Sequence, residues 1–301
     1  MISNGKFYES QFEEATIELL REAHWQYAFG DDIHRKYTDP LIEEDLRNFL
    51  AVQYKDKNLT TSEMDSIVAN LRNTGGQNDY YALRNTFLLY RDGYDFAYSD
   101  GRSNPFRLEY IDFEHPVHNI FRCVNQFVME QGRENRRPDI LLFINGIPVC
   151  IIELKNPTKQ NATIHDAHTQ ICTRYMRDIP ALLKYCALAV ISDGAKNALG
   201  ATYTPFEFFY EWKKIENEDK AGKGLDTLRT LIRGAISPER ILEILRDYVY
   251  FPDPTKEDDT TEIVCRYPQF FATRKLRDHI LNHLRSVGGD GKGGTYFGAT
   301  G

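Results

Sequence analysis

Hydrophobic periodicity predicts a helical first third of the chain. Apolar residues recur at helical spacing over residues 7–23, and similar patterns predict helices over 40–54, 62–73 and 78–91. Ser10 and Glu13 have the spacing of a capping box at the start of the first helix. Thr61 or Ser62 is expected to cap the third helix, because hydroxyl side chains accept hydrogen bonds from the first turn.

The middle of the chain has the pattern of a sheet. Residues 139–144 and 148–154 are almost entirely apolar, which is typical of strands buried on both faces, and the turn signal Asn145-Gly146 lies between them. Alternating apolar and polar residues predict two half-buried strands before this pair, and a helix and a short strand after it. These four segments are residues 106–113, 120–130, 164–177 and 188–191. The order predicts an α/β fold with a mixed central sheet flanked by helices.

A change of composition predicts a domain boundary near residue 252. Helices are expected over 225–234 and 238–248, and residues 252–261 form a polar, proline-containing linker. The predicted domains are therefore a large unit of residues 1–251, with its N-terminal helical part, and a separate segment of residues 262–301.

Composition and charge exclude several classes of protein. Of the 301 residues, 42% are hydrophobic and 27% are charged, as in ordinary globular proteins. The chain has no apolar run long enough for a membrane span and no signal-peptide pattern at its start. Five cysteines without a CxxC pair predict free thiols in the cytoplasm rather than disulfides or a zinc ribbon.

The net charge of −7 argues against a basic surface over the whole protein but allows a local one. Basic residues do cluster around the apolar strand pair. They are Arg133, Arg136 and Arg137 before it, and Lys155, Lys159, Arg174 and Arg177 after it.

The candidate chemistry lies at the ends of the apolar strands, in Pro138-Asp139 and Glu153-Leu154-Lys155. Phosphodiester hydrolysis uses a divalent cation, and carboxylate oxygens are the ligands that Mg²⁺ prefers. Residues two apart in a strand share a face, so Lys155 would lie beside Glu153 and could polarise an attacking water. The same residues, taken alone, are also common as structural charges at strand ends.

Turn geometry makes this pairing testable. A regular hairpin with a two-residue loop would place Asp139 opposite Ile152, and Glu153 would then point to the other face. For Asp139 to lie beside Glu153, the loop must contain three residues, 145–147, or the strand pair must contain a bulge. We expect Gly146 to have a positive φ in either case.

The segment from Arg137 to Pro157 resembles the core of the motor and restriction (R) subunit of type I restriction-modification enzymes. It reads RPDILLFINGIPVCIIELKNP, and the similarity covers most of residues 119–212. This resemblance implies a fold of the PD-(D/E)XK restriction-endonuclease class. Asp139 and Glu153 would then bind Mg²⁺, for which Mn²⁺ can substitute, and Lys155 would be the catalytic lysine.

The resemblance implies further site residues. The family carries a QxxxY pattern on the next helix; Tyr175 matches it, but Gln170 lies five residues before Tyr175 instead of four. Either the helix contains a one-residue bulge or Gln170 has a looser role. Glu13 is the candidate for a third metal-binding acid from the first helix, with Glu9 and Glu14 as alternatives; an exposed helix charge is the other interpretation of Glu13.

Residues 266–269 and 298–301 resemble parts of a nucleotide site. Gly298-Ala-Thr-Gly301 is similar to the opening of a P-loop, and Gln269 to an adenine-recognising glutamine. The resemblance implies that residues 262–301 are the truncated start of a RecA-like superfamily 2 motor. Gln269, Gly298 and Gly301 would contact ATP in a longer protein only.

The function that the resemblance implies is an endonuclease domain. It would cut unmodified double-stranded foreign DNA after ATP-driven translocation, in a complex with methylase and specificity subunits. The alternatives are a catalytically silent DNA-docking or assembly module of the same complex and a stand-alone nuclease of a repair or resolvase type. His34, His115, His118 and His168 show no metal-ligand spacing and are expected to be structural or surface residues.

Overall fold

The computed structural model of the protein describes residues 4–155, 163–216, 222–252 and 260–295. Its first part is helical. The helices and strands before the apolar strand pair are α1 (Asn4–Glu22), β1 (Gln26–Phe29), α2 (Glu43–Gln53), α3 (Thr61–Asn73), α4 (Asp79–Asp92), β2 (Tyr94–Phe96), β3 (Phe106–Leu108), β4 (Phe121–Asn125), β5 (Met129–Gln131) and β6 (Glu134–Arg136).

The second part begins with the apolar strand pair. Its elements are β7 (Ile140–Ile144), β8 (Ile147–Leu154), α5 (Ile164–Thr169), a π-helical segment (Gln170–Tyr175), α6 (Met176–Asp178), α7 (Pro180–Leu183), β9 (Leu188–Ser192), β10 (Asn197–Ala201), α8 (Leu225–Leu231), a second π-helical segment (Ile232–Ile236), α9 (Pro238–Asp247), β11 (Val249–Tyr250), β12 (Ile263–Val264) and α10 (Tyr267–His283).

A mixed sheet with strand order β1-β4-β7-β8-β9-β10 forms the centre of the structure. The β1/β4 and β8/β9 pairs are parallel and the β4/β7, β7/β8 and β9/β10 pairs are antiparallel. The central strands β7 and β8 are buried along their whole length. This is the mixed sheet that the apolar segments predicted.

Helices cover both faces of this sheet. Ile140, Leu142 and Ile144 of β7 belong to a core shared with α1 to α4, α8 and α9. Leu141 and Phe143, between them, belong to a second core shared with the helical region from α5 to α7. The period-two alternation of a strand therefore supplies two cores from one apolar sequence, which is why β7 shows no polar positions.

Some sequence predictions differ from the structure in detail. Ser10 lies inside α1, which begins at Asn4, so the predicted capping box at Ser10 and Glu13 is wrong. The cap of α3 is Thr60, whose hydroxyl accepts from the Glu63 amide. Of the predicted strand 106–113, only β3 forms, and it pairs with β2 outside the main sheet.

The residues after β3 are buried without belonging to a strand. Tyr110 and Ile111 are inaccessible to solvent. Their segment is fixed by side chains: Asn145 Nδ2 donates to Tyr110 O and to Asn119 Oδ1, and Asn119 Nδ2 donates to Asp112 O. These bonds satisfy backbone groups that a strand would otherwise pair.

The last described residues are in contact with the main core. β12 pairs with β11, Glu262 is buried, and the Phe270 ring lies 5.5 Å from the Trp212 ring. The boundaries predicted at 251/252 and 261/262 remain predictions, because residues 253–259 lie outside the described residues. Gly298 and Gly301 also lie outside them.

Two simple expectations can be compared with the structure directly. All five cysteines are free thiols, of which Cys123, Cys150 and Cys186 are buried, as the sequence predicted. Among the described residues, the helices are too short or too polar to cross a lipid bilayer.

Candidate active site

The β7–β8 hairpin sets the register on which the site depends. Its turn contains two residues, Asn145 and Gly146, and both have positive φ, 50° and 76°. Ile144 pairs with Ile147, but the register shifts between Leu142 and Phe143. Positive φ at both central positions is the geometry of the tight hairpin turn that matches strand twist. The three-residue loop is therefore wrong, and the alternative prediction of a bulge, with Gly146 at positive φ, is confirmed.

The bulge brings Asp139 next to Glu153. Beyond the shift, Ile140 pairs with Ile152, so the same register places Asp139 opposite Glu153. The Leu154 amide donates a hydrogen bond to Asp139 Oδ2 at 2.7 Å, which ties the carboxylate to the neighbouring strand. Without the extra residue in β8, the two carboxylates would point to opposite faces of the sheet.

Lys155 and Glu153 point to the same face, as their spacing predicted. Lys155 Nζ donates to Glu153 Oε1 at 2.8 Å and to Gln170 Oε1 at 2.6 Å. The Glu153 side chain is 1% exposed and that of Lys155 is 15% exposed. The pair is therefore largely shielded from water. A charged hydrogen bond is stronger in such a buried position than at the surface.

A π-helical segment explains the unusual spacing of Gln170 and Tyr175. Residues 170–175 form a wider helical turn, which accommodates one residue more than an α-helical turn. Gln170 Nε2 donates to the Tyr175 hydroxyl at 2.7 Å, and this hydroxyl donates to Glu153 Oε2 at 3.3 Å. The predicted one-residue bulge is confirmed, and both residues belong to the same hydrogen-bond network as Lys155.

Glu13 approaches the site from α1. Its Oε1 accepts hydrogen bonds from Asn125 Nδ2 at 2.6 Å and from Gln126 Nε2 at 3.2 Å. Asn125 in turn accepts from the Tyr27 hydroxyl at 3.0 Å, which fixes the orientation of its amide. Of the acids considered in α1, Glu14 is exposed, whereas Glu13 is partly buried by these contacts.

The carboxylates repel one another electrostatically. Burial raises the pKa of Asp139 well above its ordinary value, and the charges of Glu153 and Glu13 raise it further. Burial, and the nearby charge of Glu153, also raise the pKa of the Tyr175 hydroxyl. This hydroxyl therefore keeps its proton and can donate a hydrogen bond. A bound divalent cation would offset the excess negative charge, and hard oxygen donors suit Mg²⁺ or Mn²⁺.

The raised pKa of Asp139 predicts an unusual dependence of stability on pH in metal-free protein. Between its unfolded value, about 3.9, and its higher folded value, the folded state binds a proton that the unfolded state does not. Stability from this group is thus complete at low pH and is lost as pH rises through the folded pKa. Asp139→Asn should weaken this loss, so that the variant in EDTA unfolds at a higher temperature than wild type near neutral pH.

Thermal unfolding followed by circular dichroism at a series of pH values tests this expectation. The exposed Asp95 offers a matched control, Asp95→Asn, which should follow the wild-type curve. Equal pH profiles for wild type and Asp139→Asn would contradict the electrostatic description of the site.

Sequence reasoning overlooked the support around Glu13. Asn125 ends the otherwise apolar face of β4, and Gln126 follows it with a positive φ of 55°. The polar pair at the end of an apolar strand was an available signal, but its proximity to Glu13 depends on the packing of α1. Of the basic residues expected near the site, Arg136 and Arg177 both bond to Asp178, so their charges are partly offset.

The chain is similar to subunits of known restriction enzymes. Residues 6–208 match the family described as the type I restriction enzyme R protein N terminus. The chain is 29% identical over 286 residues to the type I restriction enzyme HindI endonuclease subunit of Haemophilus influenzae, covering 91% of this chain and 27% of that protein. It is 28% identical over 202 residues to the EcoprrI endonuclease subunit of Escherichia coli, covering 64% and 59%. The chain thus spans little more than a quarter of the length of the Haemophilus relative.

Proposed function

Because the chain belongs to the family of type I restriction enzyme R protein N termini, we propose that it carries the Mg²⁺-dependent endonuclease site of such an enzyme. The substrate is double-stranded DNA, and the reaction is phosphodiester hydrolysis. One observation supports this proposal above all: the strand register places Asp139 opposite Glu153 at one end of the central strand pair, and Lys155 donates a hydrogen bond to Glu153.

Asp139 and Glu153 would hold the cation, with Glu13 as a further acid near Asp139. Their oxygen donors suit Mg²⁺. Burial, and secondly the charges of Glu153 and Glu13, raise the pKa of Asp139, and a bound cation would favour its ionised form. When bound, the cation would neutralise the negative charge that develops on the phosphate and would activate the attacking water. The Leu154 amide orients the Asp139 carboxylate towards the strand end.

Lys155 would act on the reacting groups. An ammonium has three N–H donors, and the bonds to Glu153 and Gln170 use two of them. The third is then available to an attacking water or to a phosphate oxygen of the scissile group. Its positive charge would stabilise the negative charge that develops there.

Gln170 and Tyr175 would be positioning residues. The Gln170 carbonyl accepts from Lys155 while its amide donates to Tyr175, and the Tyr175 hydroxyl donates to Glu153. This ring of bonds holds the ammonium and the carboxylate in fixed relative orientation, as outer-shell groups do around metal sites. Their replacement should therefore reduce activity without abolishing it.

Tyr175→Phe tests the positioning role. Removing the hydroxyl leaves Glu153 Oε2 and Gln170 Nε2 without this partner, and we expect the rate of DNA cleavage to fall by about tenfold to 100-fold. Gln170→Glu is the companion variant, because it keeps the acceptor for Lys155 and replaces the donor to Tyr175. Cleavage rates at saturating Mg²⁺ measure both, and unchanged rates would exclude the role.

Metal binding tests the proposed ligands directly. Isothermal titration of the 301-residue chain with Mn²⁺ should reveal a site that Asp139→Asn weakens by about 100-fold, while Asp95→Asn leaves it unchanged. If Mn²⁺ binds wild type and Asp139→Asn with equal affinity, Asp139 is not a ligand of the proposed site. Since the variant should fold at least as well as wild type in EDTA, a loss of binding would not reflect unfolding.

We also propose, from the resemblance to the family, how this chain would function within a longer protein and a larger complex. Residues 262–301 would begin a RecA-like superfamily 2 motor in a longer protein, and ATP would drive translocation there. Gln269 lines a cavity of about 620 Å³ together with Glu262 and Arg266, which is compatible with an adenine-contacting role. Methylase and specificity subunits would be the partners, and the cytoplasm the site of action on unmodified foreign DNA.

A further inference from the structure

A second cluster of ligand-type side chains lies on the loop between β3 and β4. Asp112, His115 and His118 each place one candidate ligand atom within 4.8 Å of the others. His118 Nδ1 lies 2.8 Å from Asp112 Oδ2, and His115 Nδ1 lies 3.4 Å from the same oxygen. The spacing of these histidines in the sequence matches no common ligand motif and predicts no metal site.

The carboxylate at the centre of this cluster is firmly held. The backbone amides of Glu114 and His115 donate to Asp112 Oδ1 at 3.0 and 2.8 Å, and Gln53 Nε2 lies 3.3 Å from Oδ2. Asp112 is 5% exposed at its side chain, whereas the two imidazoles are 65% and 49% exposed. The Asp112 carboxylate is fixed, whereas the exposed imidazoles of His115 and His118 have room to change their orientation. This arrangement suits the coordination of a metal ion.

The loop itself is anchored to the central hairpin. Asn119 bonds to both the amide and the carbonyl of Asp112, and Asn145 bonds to Asn119. Asn145 follows β7, and Asp139 precedes it, so six residues of extended chain separate them by about 20 Å. The histidine cluster is therefore connected to the far end of the hairpin from the candidate active site.

We propose that Asp112, His115 and His118 form a second metal site, which binds Zn²⁺ or a similar transition metal and fastens the loop over residues 112–118. Imidazole nitrogen with one carboxylate oxygen suits such ions better than Mg²⁺. With metal–ligand bonds of about 2.1 Å, tetrahedral ligands lie about 3.4 Å apart. The His115 contact already has this separation. The exposed His118 ring, whose Nδ1 lies 2.8 Å from the Asp112 oxygen, must move outward by about 0.6 Å.

Two nitrogens and one oxygen leave a fourth position of the ion open to solvent. Because both imidazoles point Nδ1 towards the same Asp112 oxygen, one cation would bridge the three side chains. Binding should stabilise the loop, and the protein would unfold at a higher temperature in Zn²⁺ than in EDTA.

The test is calorimetric titration of the EDTA-treated 301-residue chain with Zn²⁺ in excess Mg²⁺, which competes with Zn²⁺ for the candidate active site. We expect one Zn²⁺ to bind, and His115→Ala and His118→Ala each to weaken it by about 100-fold. Asp139→Asn should leave this binding unchanged, so failure here and failure of the proposed nuclease site are distinguishable. Thermal unfolding in EDTA checks that the variants fold.

Two controls address other histidine pairs. His165 and His168 have the same spacing as His115 and His118, with ring centroids 6.3 Å apart, and His279 and His283 stack at 4.0 Å. His165→Ala and His283→Ala should leave Zn²⁺ binding unchanged. The proposal is overturned if wild type binds no Zn²⁺ in excess Mg²⁺, if both cluster variants bind like wild type, or if binding is lost with either control.

Discussion

Gly146→Ala is expected to destabilise the protein by about 3 kcal/mol or more. Gly146 has a φ of 76°, and a Cβ added there would lie 2.1 Å from the carbonyl oxygen of Ile42. That carbonyl belongs to the backbone at the start of α2, and the Ile42 amide donates to Gly146 O at 2.9 Å, so the two segments cannot separate without losing a bond. Chemical denaturation measures the change.

Gly132→Ala is a matched control for this prediction. Gly132 also has a positive φ, 62°, but a Cβ there would meet no atom within 4 Å. It should show only the backbone strain of about 1–2 kcal/mol. Equal destabilisation by the two variants would mean that contact with Ile42 contributes nothing at Gly146. In that case α2 does not constrain the turn that sets the register of Asp139 and Glu153.

The hairpin illustrates how far sequence reasoning reaches. The two apolar strands, the Asn145-Gly146 turn and the need for either a three-residue loop or a bulge all followed from residue pattern and strand periodicity. The position of the bulge did not follow, because it depends on how β7 and β8 pack between the two cores. The same holds for Gln170 and Tyr175. Their five-residue spacing allowed either a one-residue bulge in the helix or a looser role for Gln170, and the π-helical backbone distinguishes these alternatives.

Hydrophobic periodicity did not predict two other parts of the structure, β1 and the segment after β3. β1 has four residues with mainly exposed positions, so nothing in its sequence distinguishes it from a loop; its pairing with β4 is a tertiary effect. The segment after β3 contains buried Tyr110 and Ile111 and therefore resembles a strand. Hydrogen bonds from Asn145 and Asn119 fix it in another conformation, and such long-range side-chain bonds have no local signature.

Lys155→Met is expected to reduce DNA cleavage by about 10³-fold or more. Methionine preserves much of the aliphatic length but removes the charge and all three donors, so Glu153 and Gln170 lose their bonds to the ammonium. Loss of the positive charge should not prevent the carboxylates from binding a cation. Lys196→Met, at an exposed lysine after β9, is the matched control and should cut as wild type does.

The most direct test of the proposed site is cleavage of a circular plasmid that carries an unmodified recognition site. The full-length subunit is reconstituted with methylase and specificity subunits, ATP and Mg²⁺, and DNA cleavage and ATP consumption are followed in the same reaction. Wild type and Lys196→Met should cut, while Lys155→Met should consume ATP at the wild-type rate and leave the plasmid intact. Cleavage by Lys155→Met at the wild-type rate would contradict the assignment of Lys155 and of the site built around it.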